Sequence, residues 1–270
     1  MKLDPANSHE HNRHAWNRLA KSGSRFAQAA SDSDFADPLA FVDGPGWLGH
    51  SISGKRVLCL AAGGGRQGPI YAAAGGVVTV VDISHEMLEI DRQVAQKRNL
   101  SLRTVEGSMD NLSHFDDATF DIVIHPVSTC YVSDVQSVFN EVARVTIEGG
   151  IYISQHKQPI SLQSSILPQE NGYVVQHPFH RTDPLPPSRP SNLVREDGTQ
   201  EYVHSLAELL GGICNSGFNI AALTEPVHAD PNAPEGSFKH RSNFIPPYIR
   251  IKAIRNSLDS TSRQKIWSPE

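Results

Sequence analysis

Three glycines in a row, Gly63-Gly64-Gly65, follow an apolar run from Val57 to Ala62, and Pro69 stands just beyond them. A buried strand ending this way must turn tightly, because glycine adopts positive φ and lacks the Cβ that holds other groups away. Proline in a first helical turn sacrifices no hydrogen bond, and N–H groups exposed at a helix start favour a carboxylate or phosphate. Gly63, Gly65 and Gly68 satisfy G-x-G-x-x-G, and Asp82 ends the next apolar run, where a carboxylate suits ribose hydroxyls. These residues imply a nucleotide-like cofactor. Further on, His125 ends one apolar run and His156 follows another. A histidine titrates near neutrality and suits general-base work, or else it shapes a pocket. Tyr131, in the loop beyond His125, is placed to orient an acceptor.

The elements that must position these residues alternate between 57 and 155. Strands are expected at 57–61, 77–82, 102–106, 121–125 and 150–154, short and apolar as strands buried on both faces are. Helices are expected at 69–75, 84–98 and 134–146; the last carries Val135, Val138, Phe139 and Val142 on one stripe and stops before Glu148-Gly149-Gly150. Strand–helix repetition implies a parallel, doubly wound α/β sheet with right-handed crossovers. Ligands in such sheets sit outside the carboxyl ends of the strands.

Residues 1–56 read as an N-terminal helical lid and connector. Asn12 to Ala20 is a helix with Ala15, Trp16 and Leu19 on one face, and the irregular connector carries Trp47 and Leu48. The main domain is 57–255. Within it, seven prolines break the pattern between 156 and 200, where Gly172 to Val175 is the one convincing strand. A stretch this long reads as a substrate-cap insert, with Tyr173, Phe179 and Arg181 as pocket walls. A helix over 203–215 (Leu206, Leu209, Leu210, Ile213) and strands near 217–224 and 248–254 follow. No helix fits between those two strands, so they are expected to pair antiparallel at the sheet edge. The polar tail, 256–270, is expected to fray.

A formal charge of −5 gives no general attraction to phosphate backbones, which argues against nucleic acid as a partner. No apolar stretch reaches the roughly 18 residues of a membrane helix, and the N-terminus lacks the apolar region of a secretory signal. Cys59, Cys130 and Cys214 are odd in number and widely spaced, as free thiols of a reducing cytoplasm are. His9, His11 and His14 read as a solvated face rather than a metal site, so no metal is expected.

Read from the glycines and Asp82 alone, a dinucleotide enzyme and another adenosine cofactor fit equally. Three features favour the second. A 56-residue segment with an aromatic helix precedes the glycine strand; Glu106-Gly107-Ser108-Met109-Asp110 forms a polar turn suited to an adenine edge; and no second substrate domain follows. Along most of its length the chain resembles the class I S-adenosylmethionine-dependent methyltransferases, within them a bacterial type 11-like group with a Leu-Cys-Leu-Ala-(Ser/Ala)-Gly-Gly-Gly motif. The likeness rests on Asn12 to Trp16, the turn at 61–68, Val81-Asp82-Ile83-Ser84, Glu106 to Met109, Phe120 to Ser128, Leu206 to Phe218 and the closing strand at 248–254.

The resemblance implies a seven-stranded sheet of order 3-2-1-4-5-7-6 with strand 7 antiparallel, S-adenosylmethionine as cofactor and a small-molecule methyl acceptor. It also implies roles. The backbone of Ala61, Ala62, Gly63 and Gly65 would cradle the methionine part, and Asp82 would accept from both ribose hydroxyls. Ile83 and Met87 would sandwich the adenine, while Ser108 and the Met109 N–H would read its edge. His125 and Val127 would line the sulfonium, with Trp16 closing over it. His125, His156 and Tyr131 are the candidates for work on the acceptor. Many members of the superfamily carry Asp where Ser108 stands. The rival readings are a nicotinamide-dependent oxidoreductase and a non-catalytic S-adenosylmethionine-binding protein.

Overall fold

Apolar runs of five or six residues, too short for buried helices, form the inner strands of one sheet, and amphipathic segments between them cover its two faces. The structure, a computed structural model, describes residues 5–170, 172–188 and 194–257. In chain order the main elements are α1 (Pro5–Lys21), α2 (Pro38–Val42), β1 (Arg56–Leu60), α3 (Gln67–Ala73), β2 (Val77–Asp82), α4 (His85–Lys97), β3 (Leu102–Glu106), β4 (Phe120–His125), α5 (Val135–Val145), β5 (Thr146–Lys157), α6 (Pro159–Gln163), α7 (Gly212–Asn215, preceded by a π-helical turn, Ala207–Gly211), β6 (Phe218–Thr224), α8 (Phe238–Arg241) and β7 (Tyr248–Arg255).

The sheet has seven strands in the order β3-β2-β1-β4-β5-β7-β6. β1 to β5 run parallel, and β7 is antiparallel to both β5 and β6. One core, centred on Leu58, Val123, Phe139 and Tyr152, lies under α5 and α7 with its π-turn; the other, with Cys59, Tyr71, Val80 and Ile124, lies under α3. The strand order puts the switch point between β1 and β4, so the carboxyl ends of β1, β2 and β4 open onto one cleft.

Four local expectations need correcting. α5 ends at Val145 and β5 starts at once, so Gly149, with φ +69°, lies within the strand where its register against β4 slips between Phe120 and Ile122. Gly172 to Val175 forms no strand, only isolated bridges from Gln169 to Gly172 and from Ser164 to Val175. Arg241 organises this region instead, donating to the carbonyls of Ser165 and Ser161 and to Ser161 Oγ. Arg241 ends α8, a single turn capped by Ser237, in the loop where no helix was expected. Leu206 is exposed while Leu209 and Ile213 are buried, because the π-turn is wider than an α-turn and rotates Leu206 off the apolar stripe. The tail from 258 lies outside the described residues.

Candidate active site

The cleft has a volume of about 570 Å³. Trp16, Ala61, Ala62, Gly63, Asp82, Ile83, Met87, Ser108, Met109, His125, Val127 and Tyr131 line it; Gly65 and His156 do not. Ala61 turns the chain out of β1 with φ +48°, a left-handed conformation that disfavours residues with a Cβ and often marks a functional turn. Asp82 then receives one N–H on each carboxylate oxygen, from Gly63 to Oδ2 and from Ser84 to Oδ1, both at 2.9 Å. Burial pushes its carboxyl up to about 6, against the restraining bonds from Ser84 and Gly63.

The next two amides of the turn are taken as well. Asp91, fully buried on α4, accepts from Gly64 through Oδ2 at 3.0 Å and from Gly65 through Oδ1 at 3.1 Å. Burial and the neighbouring Asp82 charge push its carboxyl well above the usual range. Three consecutive N–H groups of the glycine turn are thus bound internally. The close approach that demands glycine is also internal. A Cβ on Gly63 would lie 2.7 Å from Met87 Cβ, and one on Gly65 would lie 2.7 Å from Ile90 Cγ2.

At the end of β3 a polar corner forms. Ser108 Oγ donates to Asp110 Oδ1 at 2.5 Å, and His9 of α1 meets Asp110 Oδ2 at 3.0 Å. Helix α1 is pinned across the cleft from there. Asn17 Oδ1 accepts from Ser84 Oγ at 2.7 Å; Asn12 donates to the carbonyls of Tyr131 and Gln200 and accepts from the Gln200 N–H. Trp16 stands edge-on to Tyr131 with ring centres 5.6 Å apart.

Each histidine ring is held at both nitrogens by hydroxyl groups. His125 Nδ1 and Nε2 bond Tyr152 Oη and Ser128 Oγ, each at 2.8 Å. His156 Nδ1 meets Thr129 Oγ1 at 2.9 Å and its Nε2 meets Ser154 Oγ at 2.8 Å. Both rings are buried, and desolvation lowers each to about 3. His125 lines the cleft floor, and His156 packs against it with ring centres 6.4 Å apart. Tyr131 keeps its place but donates its hydroxyl to Glu196 Oε2 at 2.7 Å. The same oxygen accepts from Lys157 Nζ at 2.8 Å, and Lys157 also donates to Glu201 Oε1 at 2.6 Å. Burial opposes the ammonium charge, but Glu196 and Glu201 outweigh it and hold Lys157 well above its ordinary value. Among the described residues of the 156–200 segment, Glu196 is the one that lines the cleft. Tyr173, Phe179 and Arg181 do not line it, and its apolar walls come instead from Phe26, Phe41 and Trp47.

Residues 58–154 match the family model described as a methyltransferase domain. Over 227 residues the chain is 35% identical to the uncharacterized methyltransferase YbaJ of Bacillus subtilis (strain 168), spanning 80% of this chain and 89% of that one. The chain belongs to the methyltransferase family.

Solved structures agree on the fold. An S-adenosylmethionine dependent methyltransferase from Mesorhizobium loti superposes with a TM-score of 0.60 at 21% identity, covering 76% of this chain and 93% of that one. Geranyl diphosphate C-methyltransferase from Streptomyces coelicolor, solved with S-adenosyl-L-homocysteine, gives a TM-score of 0.60 at 14% identity, covering 93% and 100%. In this methyltransferase, sequence reasoning missed Asp91, Lys157, Glu196 and Glu201. Asp91 left a signal, since it shares the buried stripe of α4 with Leu88 and Ala95. A carboxylate on an apolar stripe needs a buried partner. Lys157 lies 39 and 44 residues from its two carboxylates, and no local pattern links them.

Proposed function

We propose that this methyltransferase takes its methyl group from S-adenosylmethionine and delivers it to a small molecule bound at the β5–β7 end of the cleft. The observation that carries the reading is the state of Asp82. Each of its oxygens holds one backbone N–H, and an ionised carboxylate oxygen accepts a second bond. A pair of adjacent ribose hydroxyls meets that need. A dinucleotide pyrophosphate instead requires open amides at the glycine turn, and those of Gly63, Gly64 and Gly65 are bound to Asp82 and Asp91.

The remaining roles follow from what lines the cleft. The backbone from Ala61 to Gly63 flanks the methionine part. Ile83 and Met87 offer apolar surface to the adenine, the thioether through polarizable contact. Ser108 and the Met109 N–H stand at its edge, with Asp110 orienting the Ser108 hydroxyl. His125, Val127 and Trp16 enclose the reacting end. When bound, the sulfonium supplies an activated methyl group. The chain's own contribution is alignment and exclusion of water, and good alignment accounts for roughly 7–11 kcal/mol of barrier in such displacements. Mass spectrometry of ligand carried through purification tests the reading. S-adenosylmethionine or its demethylated product is the expected mass; a nicotinamide dinucleotide in its place would overturn it.

A further inference from the structure

Arg250 lines the cleft, and among the described residues no carboxylate pairs with it. Its side-chain bonds among the described residues go to one neutral atom, Gln155 Oε1, from Nε at 3.0 Å and from Nη2 at 2.8 Å. A guanidinium has five N–H donors in a planar fork, so three remain, and the amide holds the fork still. Two nearby charged groups are occupied. Lys252, on the same face of β7, donates to the Trp47 carbonyl at 2.6 Å. Asp43, on the cleft wall, accepts from the N–H groups of Trp47 at 2.8 Å and Leu48 at 2.6 Å. Tyr248, two residues before Arg250 on β7, Ile153, opposite Lys252 on β5, and Trp47, bonded to Lys252, line the cleft on this side. A held cation among aromatic and aliphatic surfaces fits an anion on an apolar body.

Strand order says which ligand carries that anion. Asp82 ends β2 and Arg250 lies on β7, four strands away in β2-β1-β4-β5-β7. Neighbouring strands are about 4.8 Å apart, so the two residues are separated by roughly 19 Å across the sheet. Arg250 therefore stands two strands beyond β4, past the switch point where the cofactor is expected to lie. We infer that Arg250, steadied by Gln155, anchors the methyl acceptor through a carboxylate, and that the acceptor is an apolar or aromatic small acid. This inference rests on the methyl-transfer reading.

Calorimetry on protein saturated with S-adenosylhomocysteine tests it, using benzoate, indole-3-acetate and decanoate, each against its amide. At least one acid is expected to bind about tenfold more tightly than its amide, the margin of one charge-assisted fork. Arg250→Gln is expected to abolish that margin and to leave S-adenosylhomocysteine affinity within about twofold. Arg250→Lys, which keeps charge without the fork, is expected to retain part of it. The inference is overturned if no acid outbinds its amide, if Arg250→Gln keeps the preference, or if that variant loses S-adenosylhomocysteine affinity, which would make Arg250 a cofactor anchor. Failure of the wild-type protein to bind S-adenosylhomocysteine would instead bring down the methyl-transfer reading itself.

Discussion

The two ends of the cleft are built in opposite ways. At the β1–β2 end, Ala61 to Gly65, Asp82 and Asp91 fall within one strand–helix–strand–helix stretch and bind one another through backbone amides. At the β5–β7 end, Tyr131, Lys157 and Glu196 come from distant parts of the chain and meet through side chains, and Trp47 and Arg250 line the same cleft from two more. The first end holds its shape by local backbone geometry, which suits an invariant cofactor. The second depends on tertiary assembly, where one substitution changes what fits without disturbing the other end.

That contrast yields separable tests. Lys157→Ala strips a buried cation from Glu196 and Glu201, leaving Tyr131 on the first and Arg195 on the second, and is expected to cost about 3–5 kcal/mol of stability. Chemical denaturation should register the loss while S-adenosylhomocysteine affinity, measured well below the transition, stays within about twofold. Coupled losses would show that the two ends are not independent. Asp82→Ala removes the acceptor of both hydroxyls, and two charge-assisted bonds at about 1.5–3 kcal/mol each predict at least a hundredfold weaker S-adenosylhomocysteine binding by calorimetry.

A smaller effect follows from pH. Burial pushes the Asp82 carboxyl up to about 6, and the ribose contact needs it ionised. Below that value the free site must first lose a proton, so affinity is expected to fall about tenfold per pH unit on acidification below 6 and to level off above it. A flat profile from pH 5 to 7 would detach Asp82 from the ligand. Trp16→Ala is expected to act least. Its edge-to-face pair with Tyr131 contributes about 0.5–1.5 kcal/mol, which predicts a two- to tenfold rise in the dissociation constant if Trp16 closes the cofactor end. No change would make it packing alone.

The same contrast explains what the sequence revealed. The positions of the inner strands were legible because β-branched runs alternate with amphipathic helices, whereas their order was implied only by the resemblance to the methyltransferases; the antiparallel β6–β7 pair was expected although the single turn α8 stands between the two strands. The glycine turn was legible as a turn, but what its amides bind was not, since Asp91 acts 26 and 27 residues away. For His125 and His156 the sequence left base and pocket-shaping roles open, because composition cannot show that a hydroxyl meets each ring nitrogen. The aromatic residues of the 156–200 segment looked like pocket walls, yet α1 reaches across through Asn12 and the connector's Phe41 and Trp47 take that position. Side-chain destinations of this kind depend on long-range packing, which no local period encodes.

The central claim is that Asp82 and the glycine turn hold an adenosyl donor rather than a dinucleotide. Parallel calorimetric titrations of the purified protein with S-adenosylhomocysteine and with NAD⁺ test it most directly. One-site binding of S-adenosylhomocysteine, with no heat from NAD⁺, is the predicted result. Saturable binding of NAD⁺ with none of S-adenosylhomocysteine would contradict it.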